Sequence, residues 1–441
     1  MLSRRQFLQR GAQVSLASAT SPLWAPAGMR AFGQVATGSY KAIVIITMSG
    51  GNDGNNMIVP LDPQVHSAYS KFRGLLSLSA ETCIPLLGTS STASYGLHPS
   101  LPNVAALFNA KRASIVANVG PMVQPATKAD LLAAAEQYPE LLFSHPAGQA
   151  EWESSSSSAS PATGWGGRIA DLMANESGSL PPVLNGGYSS IFTVGRSVQA
   201  VAVQGGVAFP ALPPGLNAAV LKIAQADCAS NNQLVAQVAQ LRAASMQQQT
   251  LIDQATTYKS YKTRFPTSGF GSTMQKIAEI IGGQSVIGAT RQIFYTQQGA
   301  YDSHVGQLPL QALNFQDLDG GLGALFSALD EIGMANQVLV CTHSDFNRTF
   351  TPNTDAGSDH GWGNHQLVLG GAIAGGNIVG TMPVLEVNGP DDLNGYGVWV
   401  PTTSVTQLTA GVGSWMGLNT TQLATVFPDL ARFPNGHLRF S

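Results

Sequence analysis

The stretch K-A-I-V-I-I-T-M, residues 41–48, decides the fold of this chain. A continuous run of apolar and β-branched side chains is typical of a strand buried on both faces, as in a parallel sheet. The run ends in S-G-G-N-D-G-N-N, residues 49–56, a loop in which glycines let the backbone approach a ligand closely. These residues therefore predict a central parallel strand with a loop at its carboxyl end that is suited to binding.

Further units of the same kind follow along the chain. Buried strands are predicted at Ala113–Val119, Gln292–Thr296 and Val338–Thr342, each a short run of mostly apolar residues. Apolar residues at helical spacing between 274 and 281, and again between 318 and 332, predict two helices that each pack one face. Strands that alternate with helices predict an α/β fold with a mostly parallel sheet and helices on both faces.

Local signals mark two shorter helices. Ser100 is a predicted N-cap, with Pro102 in the first turn and the helix running to about Ala110. A second short helix is predicted from Gly164 to Met173.

The middle of the chain has a different pattern. Residues 153–161 are rich in serine and predict a surface loop, and residues 180–215 read as short strands and turns rich in glycine and proline. Asn231 to Lys262 predicts a long amphipathic helix. Its apolar face is formed by four residues: Leu234, Val235, Val238 and Leu241. We interpret residues 175–270 as a helical and irregular insertion or cap within a single α/β domain that spans residues 39–441.

Composition excludes one large class of function. The formal net charge is -3, from 22 basic and 25 acidic residues among 441. Residues 1–38 hold four arginines and no acid, so the remainder has 18 basic against 25 acidic residues, or -7. A chain without a basic surface is not expected to bind nucleic acid.

The amino terminus predicts export. Arg4 and Arg5 precede Phe7-Leu8 and a weakly apolar stretch from Gly11 to Trp24, a pattern that resembles a twin-arginine signal. We therefore expect residues 1–38 to be a signal peptide and linker, and the mature protein to be periplasmic or extracellular. No other apolar run reaches the ~18 residues of a membrane span.

Acidic and imidazole side chains follow the predicted strands. Asp53 follows the first strand, Asp302 and His304 follow the third, and Asp345 follows the fourth, with His360 in the loop beyond. Because the carboxyl ends of parallel strands share one sheet edge, these loops should converge. Carboxylate and imidazole ligands suit zinc or manganese, whereas carboxylates alone suit magnesium or calcium. Two such ions about 4 Å apart can clamp a phosphoryl or sulfuryl ester.

Each of these residues also has a structural interpretation. Asp53 and Asp345 could cap a turn or helix, and Asp302 with His304 could form an Asx-turn with a surface histidine. His343 and His365 could bind an ion directly or support a ligand. Ser144-His145 is a further candidate pair, after an apolar run.

The motifs around these residues resemble a known family. Residues 50–56, G-G-N-D-G-N-N, are similar to the G-G-N-D-G-x-N loop of the domain-of-unknown-function 1501 proteins. Phe143-Ser144-His145 resembles their F-S-H element, and residues 301–304 resemble F-D-T-H. Residues 344–349 resemble S-D-F-G-R-T, and residues 358–363 resemble the closing D-H-G-W-G segment.

This family is similar, more distantly, to the alkaline phosphatase and sulfatase superfamily. The resemblance implies an alkaline-phosphatase-like fold, with Asp53 and Asp345 serving one divalent metal. Asp302, His304 and His360 would serve another. The superfamily often has histidine where this chain has Phe346. The departure implies that one of the two metals is missing or bound differently.

Two functions follow as hypotheses. The first is an exported metal-dependent hydrolase of small or polymeric sulfate or phosphate esters, with Ser144 as nucleophile. Arg348 would hold the ester oxyanion or, alternatively, form a structural ion pair. The second is a non-catalytic binding or assembly protein on the same fold, acting with a co-exported partner protein.

Overall fold

The structure is a computed structural model that describes most of the chain. The described ranges are residues 39–88, 94–133, 138–158, 160–203, 214–230 and 232–440. The predicted signal segment, residues 1–38, lies outside them, as does the stretch 204–213 within the predicted insertion.

One large sheet organises the molecule. Its strands, in chain order, are β1 (Lys41–Met48), β5 (Ala113–Gly120), β6 (Val183–Asn185), β7 (Val201–Ala202), β8 (Arg291–Gln298), β9 (Val338–Ser344), β10 (Asn364–Leu369), β11 (Ile378–Val379) and β12 (Thr403–Ser404). The spatial order is β11-β5-β10-β9-β1-β8-β6-β7, and β12 also pairs with β5. Only β10 runs antiparallel to its neighbours among the described pairings of this sheet. The predicted mostly parallel α/β sheet is therefore confirmed.

A smaller antiparallel sheet lies outside this one. It contains β2 (Ile58–Pro60), β3 (Ile84–Pro85) and β4 (Tyr95–Leu97), with β4 in the middle.

Helices connect the strands. They are α1 (Gly54–Met57), α2 (Pro63–Arg73), α3 (Pro102–Asn109), α4 (Lys128–Ala133), α5 (His145–Ser154), α6 (Trp165–Leu172), α7 (Pro214–Asp227), α8 (Gln233–Thr256), α9 (Gly269–Gly282), α10 (Gln284–Ile287), α11 (Gln307–Glu331), α12 (Val405–Met416) and α13 (Thr420–Val426). Within the described part of the chain, no helix combines the length and apolar character that crossing a membrane requires.

Helices cover both faces of the large sheet. Side chains of β1 alternate between the two sides, as the strand geometry requires: Val44 and Ile46 pack in one core, and Ile43 and Ile45 pack in the other. The first core includes residues of α3, α9 and α11, and the second includes residues of α5, α6 and α12. The run of apolar and β-branched residues from Ala42 to Met48 is thereby explained, since both faces of β1 are buried.

Three local predictions are corrected by the structure. Ser100 does not cap α3, because the carboxylate of Asp319, from the distant α11, accepts the free N–H groups of Asn103 and Val104. The predicted loop 49–56 ends in the short helix α1. The predicted surface loop 153–161 begins inside α5, where Glu153 is buried.

The predicted insertion is partly continuous with the sheet. β6 pairs in parallel with β8, and β7 pairs with β6, so the segment extends the sheet at its edge. The long helix predicted at 231–262 is α8, which Asn232 caps. Its four predicted apolar-face residues are exposed, and the buried face consists of Ala239, Ala243, Ile252 and Ala255.

Candidate metal centre

The loops that follow three neighbouring strands meet at one edge of the sheet. β1 lies between β8 and β9 and is parallel to both, so their carboxyl ends are side by side. Gly50 N, after β1, donates to the Asp345 carboxylate after β9, at 3.0 Å. Tyr301 N, after β8, donates to the Ser49 carbonyl at 3.1 Å. The predicted convergence of these loops is what the structure contains.

Gly50 is required by this junction. Its φ of +107° lies in the region that favours glycine, and a Cβ at this position would be 2.5 Å from the backbone nitrogen of Asp302. The loop therefore reaches Asp302 only because residue 50 has no side chain.

Three imidazoles converge on one carboxylate oxygen. The Asp302 Oδ1 atom lies 3.1 Å from Nε2 of His304, 3.5 Å from Nε2 of His145 and 3.7 Å from Nε2 of His360. The Nε2 atoms of His304 and His360 are 3.0 Å apart. In a tetrahedral site with bonds of ~2.0–2.1 Å to nitrogen and oxygen, ligand atoms are separated by roughly 3.3 Å. The observed separations match such a site.

The opposite nitrogen of each ring is bound to an acceptor. His145 Nδ1 donates to Asp345 at 2.8 Å, and His304 Nδ1 donates to Asp359 at 3.0 Å. His360 Nδ1 donates to the Phe143 carbonyl at 2.7 Å. In the neutral rings these bonds place the proton on Nδ1, so the Nε2 lone pairs face one another and Asp302. Lone pairs and a carboxylate oxygen at this distance repel, and a cation between them removes the repulsion.

The electrostatics of the centre also suit a cation. Burial alone would raise the pKa of Asp302, but the hydrogen bond and charge of Arg348, with the nearby His145 and His304, lower it below its usual value. Burial lowers the pKa of His360, despite the hydrogen bond to the Phe143 carbonyl. The Asp302 carboxylate is thus held ionised and the half-buried His360 imidazole neutral, which are the forms that bind metal.

Helix α5 positions His145 at the centre. Leu141 and Phe143, just before the helix, have positive φ values of 52° and 77°, a turn that directs the Phe143 carbonyl to His360. At Gly148, an added Cβ would be 2.4 Å from the backbone oxygen of Asp345. The absence of a side chain at Gly148 lets α5 pack directly against the segment that carries Asp345.

The other residues singled out from the sequence have different surroundings. Asp345 is buried, and its Oδ2 accepts from both Gly50 N and His145 Nδ1. Asp53 is also buried and binds Arg73 and Gln307. Direct metal binding by Asp53 or Asp345 stays a prediction.

The two predicted catalytic residues, Arg348 and Ser144, differ in burial and in the hydrogen bonds that their side chains make. Arg348 is fully buried and donates to Asp302 at 2.6 Å and to the backbone carbonyls of Gly50, Gly51 and Ser358. This is the ion pair that the sequence left as an alternative, and contact with an ester stays a prediction. Ser144 is the half-buried N-cap of α5, and its hydroxyl makes no capping hydrogen bond.

Two histidines near the motifs, His343 and His365, lie outside the group formed by Asp302 and its three neighbouring imidazoles. His343 hydrogen-bonds Thr47 through Nε2, and His365 accepts from Asn118 N at 3.1 Å. Both are buried in the interior.

His145 is the residue whose role the sequence did not assign. Pro146, directly after it, marks the first turn of a helix, and this signal could have placed His145 at a helix start. Nothing local to residues 143–146 indicates that this helix begins beside Asp302.

Comparison with known proteins identifies a family. The sequence profile described as "Protein of unknown function (DUF1501)" matches residues 40–430, which confirms the resemblance carried by the motifs. No curated protein is found to be similar to this chain in sequence.

Several solved structures are similar in backbone. A sulfatase from Pseudoalteromonas sp. has 12% identity and a TM-score of 0.33, over 78% of this chain and 66% of the sulfatase, just under two thirds of its length. A protein of the alkaline phosphatase superfamily from Vibrio parahaemolyticus has 11% identity and a TM-score of 0.33, over 93% of this chain and 75% of that protein. A phosphonate monoester hydrolase from Silicibacter pomeroyi has 10% identity and a TM-score of 0.35, over 87% of this chain and 74% of the hydrolase.

Proposed function

From the premise that this chain belongs to the DUF1501 family of proteins of unknown function, we propose that it is an exported metal-dependent hydrolase of sulfate or phosphate esters. The reaction takes an ester and water to an alcohol and free sulfate or phosphate. The observation that carries the proposal is the convergence of three Nε2 atoms on the Asp302 carboxylate.

The donor set favours a particular class of ion. His145 and His360 with Asp302 form the group whose ligand atoms are close enough to share an ion. His304, which lies beside His360 and Asp302, would bring the set to three nitrogens and one oxygen. Zinc and manganese accept this set, whereas magnesium and calcium prefer oxygen ligands throughout. A bound divalent ion of this kind would polarise the ester and stabilise charge that develops on its oxygens.

The amino end of α5 supplies groups for an anionic substrate. A helix amino terminus carries partial positive charge and unpaired N–H groups, which favour a bound anion. Ser144 lies at this end, beside His145, with a hydroxyl that no capping bond occupies. These features support Ser144 as the nucleophile.

The alternative is a non-catalytic binding or assembly protein, acting with a co-exported partner. One observation favours it: His304 lies 3.0 Å from His360 and 3.1 Å from Asp302, and with His304 four protein ligands would surround the ion, the pattern of structural rather than catalytic zinc sites. Hydrolysis would require an open position for the ester. His304 is the most exposed of the three histidine side chains, at 42%, so it is the ligand best placed to give way.

Export completes the proposal. The paired arginines Arg4 and Arg5 support delivery by the twin-arginine route to the periplasm or beyond. Replacing both with lysine should retain the protein in the cytoplasm, as measured by cell fractionation and immunoblotting. Unchanged export of the double variant would contradict this route.

Activity is tested with aryl ester substrates. The purified mature protein, loaded with zinc or manganese, should hydrolyse 4-nitrophenyl sulfate, phosphate or a phosphonate ester. A His360→Ala variant should lose this activity, and His437→Ala, a histidine outside the cluster, should keep it. A metal-loaded protein that is inactive on the whole panel would favour the binding or assembly function.

A further inference from the structure

We propose that the centre holds one divalent ion rather than two, and that the buried guanidinium of Arg73 takes the place of a second cation at Asp53. This inference rests on the proposed metal-dependent function and deepens it. Of the five ligands predicted from the sequence, Asp302, His304 and His360 would bind the ion, whereas Asp53 and Asp345 would not hold a second one.

Both oxygens of the Asp53 carboxylate already have partners. Its Oδ1 accepts from Asn55 N at 3.0 Å, and its Oδ2 binds both the Arg73 guanidinium and the Gln307 side-chain amide. The side chain of Arg73 has 0% exposure and that of Asp53 has 1%. A divalent ion at Asp53 would have to displace a buried, hydrogen-bonded cation.

Arg73 is fixed in this position by the rest of its guanidinium. Nε donates to Asn56 Oδ1 at 3.1 Å, and Nη1 donates to the carbonyls of Thr349 and Phe350 at 3.1 and 2.9 Å. The planar fork of arginine is therefore matched to acceptors on several sides. A side chain held in this way occupies the carboxylate permanently and does not swing aside for an ion.

Asp345 cannot hold a second ion alone. One of its oxygens is used by Gly50 N and His145 Nδ1, and the other, Oδ1, is buried without a hydrogen-bond partner among the described atoms. Zinc sites in proteins have at least three protein ligands. Across the ranges that the structure describes, one group of three potential ligand residues is close enough to share an ion: His145, Asp302 and His360. His304 adjoins this same group, at 3.0 Å from His360 and 3.1 Å from Asp302, and Asp345 is not a member of it.

Charge balance agrees with one ion. Asp302, Asp53 and Asp345 all act electrostatically on Arg348. With Asp359, which binds His304, these carboxylates number four, and with the two guanidiniums of Arg73 and Arg348 they leave two net negative charges. One divalent ion neutralises them. Two ions would leave two positive charges in a partly buried centre, where uncompensated charge is costly.

Metal counting tests the inference directly. The mature protein is loaded with zinc, freed of excess ion by gel filtration, and analysed by plasma mass spectrometry against quantitative amino-acid analysis. We expect about one ion per chain. Two ions per chain would overturn the single-ion inference and leave the hydrolase proposal intact. No bound ion would overturn the metal-dependent function itself.

Cobalt titration gives a second readout that does not depend on activity. Visible absorption bands of bound Co²⁺ should saturate at one equivalent in the unaltered protein. The Asp53→Asn variant should saturate at the same point, with a dissociation constant changed less than about threefold, although its thermal stability should fall. Asp302→Ala should lose the bands. If folded Asp53→Asn protein bound fewer cobalt ions than the unaltered protein, the inference would be contradicted. If the variant does not fold, the titration of the unaltered protein alone decides the stoichiometry.

Discussion

The Nδ1 atom of His145 donates to Oδ2 of Asp345 across 2.8 Å, a contact between residues 200 positions apart in the chain. Asp345 is buried and His145 is at the exposed start of a helix, so the carboxylate fixes the ring and directs its Nε2 toward Asp302. We therefore propose that Asp345 positions His145, the ring whose Nε2 would bind the ion.

Removing this support should weaken metal binding without abolishing it. Asp345→Ala should raise the dissociation constant for zinc about 10–100-fold, because partners of ligating histidines contribute effects of this size. Competition with a chromophoric chelator measures the change. Asp355→Ala, an exposed aspartate, serves as the control. An unaltered affinity in Asp345→Ala would show that His145 does not depend on this carboxylate.

Two glycine substitutions should have opposite effects on stability. Gly148→Ala places a Cβ 2.4 Å from the Asp345 backbone oxygen and should destabilise the fold by about 1–3 kcal/mol, the usual cost of overpacking. Gly215→Ala, in α7, meets no atom within 4 Å and should be neutral or stabilising by up to about 1 kcal/mol. Urea denaturation distinguishes them. Equal midpoints for the two variants would argue against the close packing of α5 on the segment that carries Asp345.

Lowering the pH should destabilise the protein already at pH values above those at which its carboxyl groups bind protons. Burial lowers the pKa of His343 to about 3 and the pKa values of His98 and His365 to about 4. Since the unfolded pKa is 6.5, these rings contribute stability that is present above pH 6.5 and is lost as the pH falls through 4. Urea midpoints of chelator-treated protein should therefore drop between pH 6.5 and 4. A flat profile across this window would mean that the three rings are hydrated.

Alkaline pH should reveal a different buried group. Burial, with the charge of Glu140, raises the pKa of Glu151 to about 9 from 4.5. A raised carboxyl pKa contributes stability that is present below pH 4.5 and is lost as the pH rises toward 9. Glu151→Gln should therefore stabilise the protein at pH 8 by about 1–3 kcal/mol, because a neutral amide can be buried without the proton that the carboxyl must bind. Glu81→Gln, at an exposed position, should leave the stability at pH 8 unchanged. A Glu151→Gln variant that is less stable than the unaltered protein would contradict the prediction and indicate that the Glu151 carboxylate is charged and paired.

The central strands could be predicted from the sequence because their cause is local. Residues 41–48 and 113–119 are mostly apolar, since both faces of each strand are buried, and burial on both faces leaves no regular polar alternation. The loops after β1, β8 and β9 could be expected to meet for the same reason. Asp302, His304 and His360, which lie in or beyond these loops, do lie close together, and their role as metal ligands stays a prediction.

The features that could not be predicted from the sequence depend on contacts between segments that are far apart in the chain. The cap of α3 comes from Asp319, more than 200 residues away, so Ser100 was a reasonable but wrong choice. Asp53 follows β1 as a ligand would, yet its partner Arg73 is at the end of a helix whose packing no local pattern reveals. His145 likewise becomes a ligand candidate only when α5 is placed against Asp302.

X-ray absorption at the metal edge tests the central claim most directly. On the mature protein isolated with its native ion, it should report one kind of site, with three imidazole nitrogens and one carboxylate oxygen at ~2.0–2.1 Å. A spectrum dominated by oxygen ligands, or a protein that retains no ion at all, would contradict a centre built from His145, Asp302, His304 and His360.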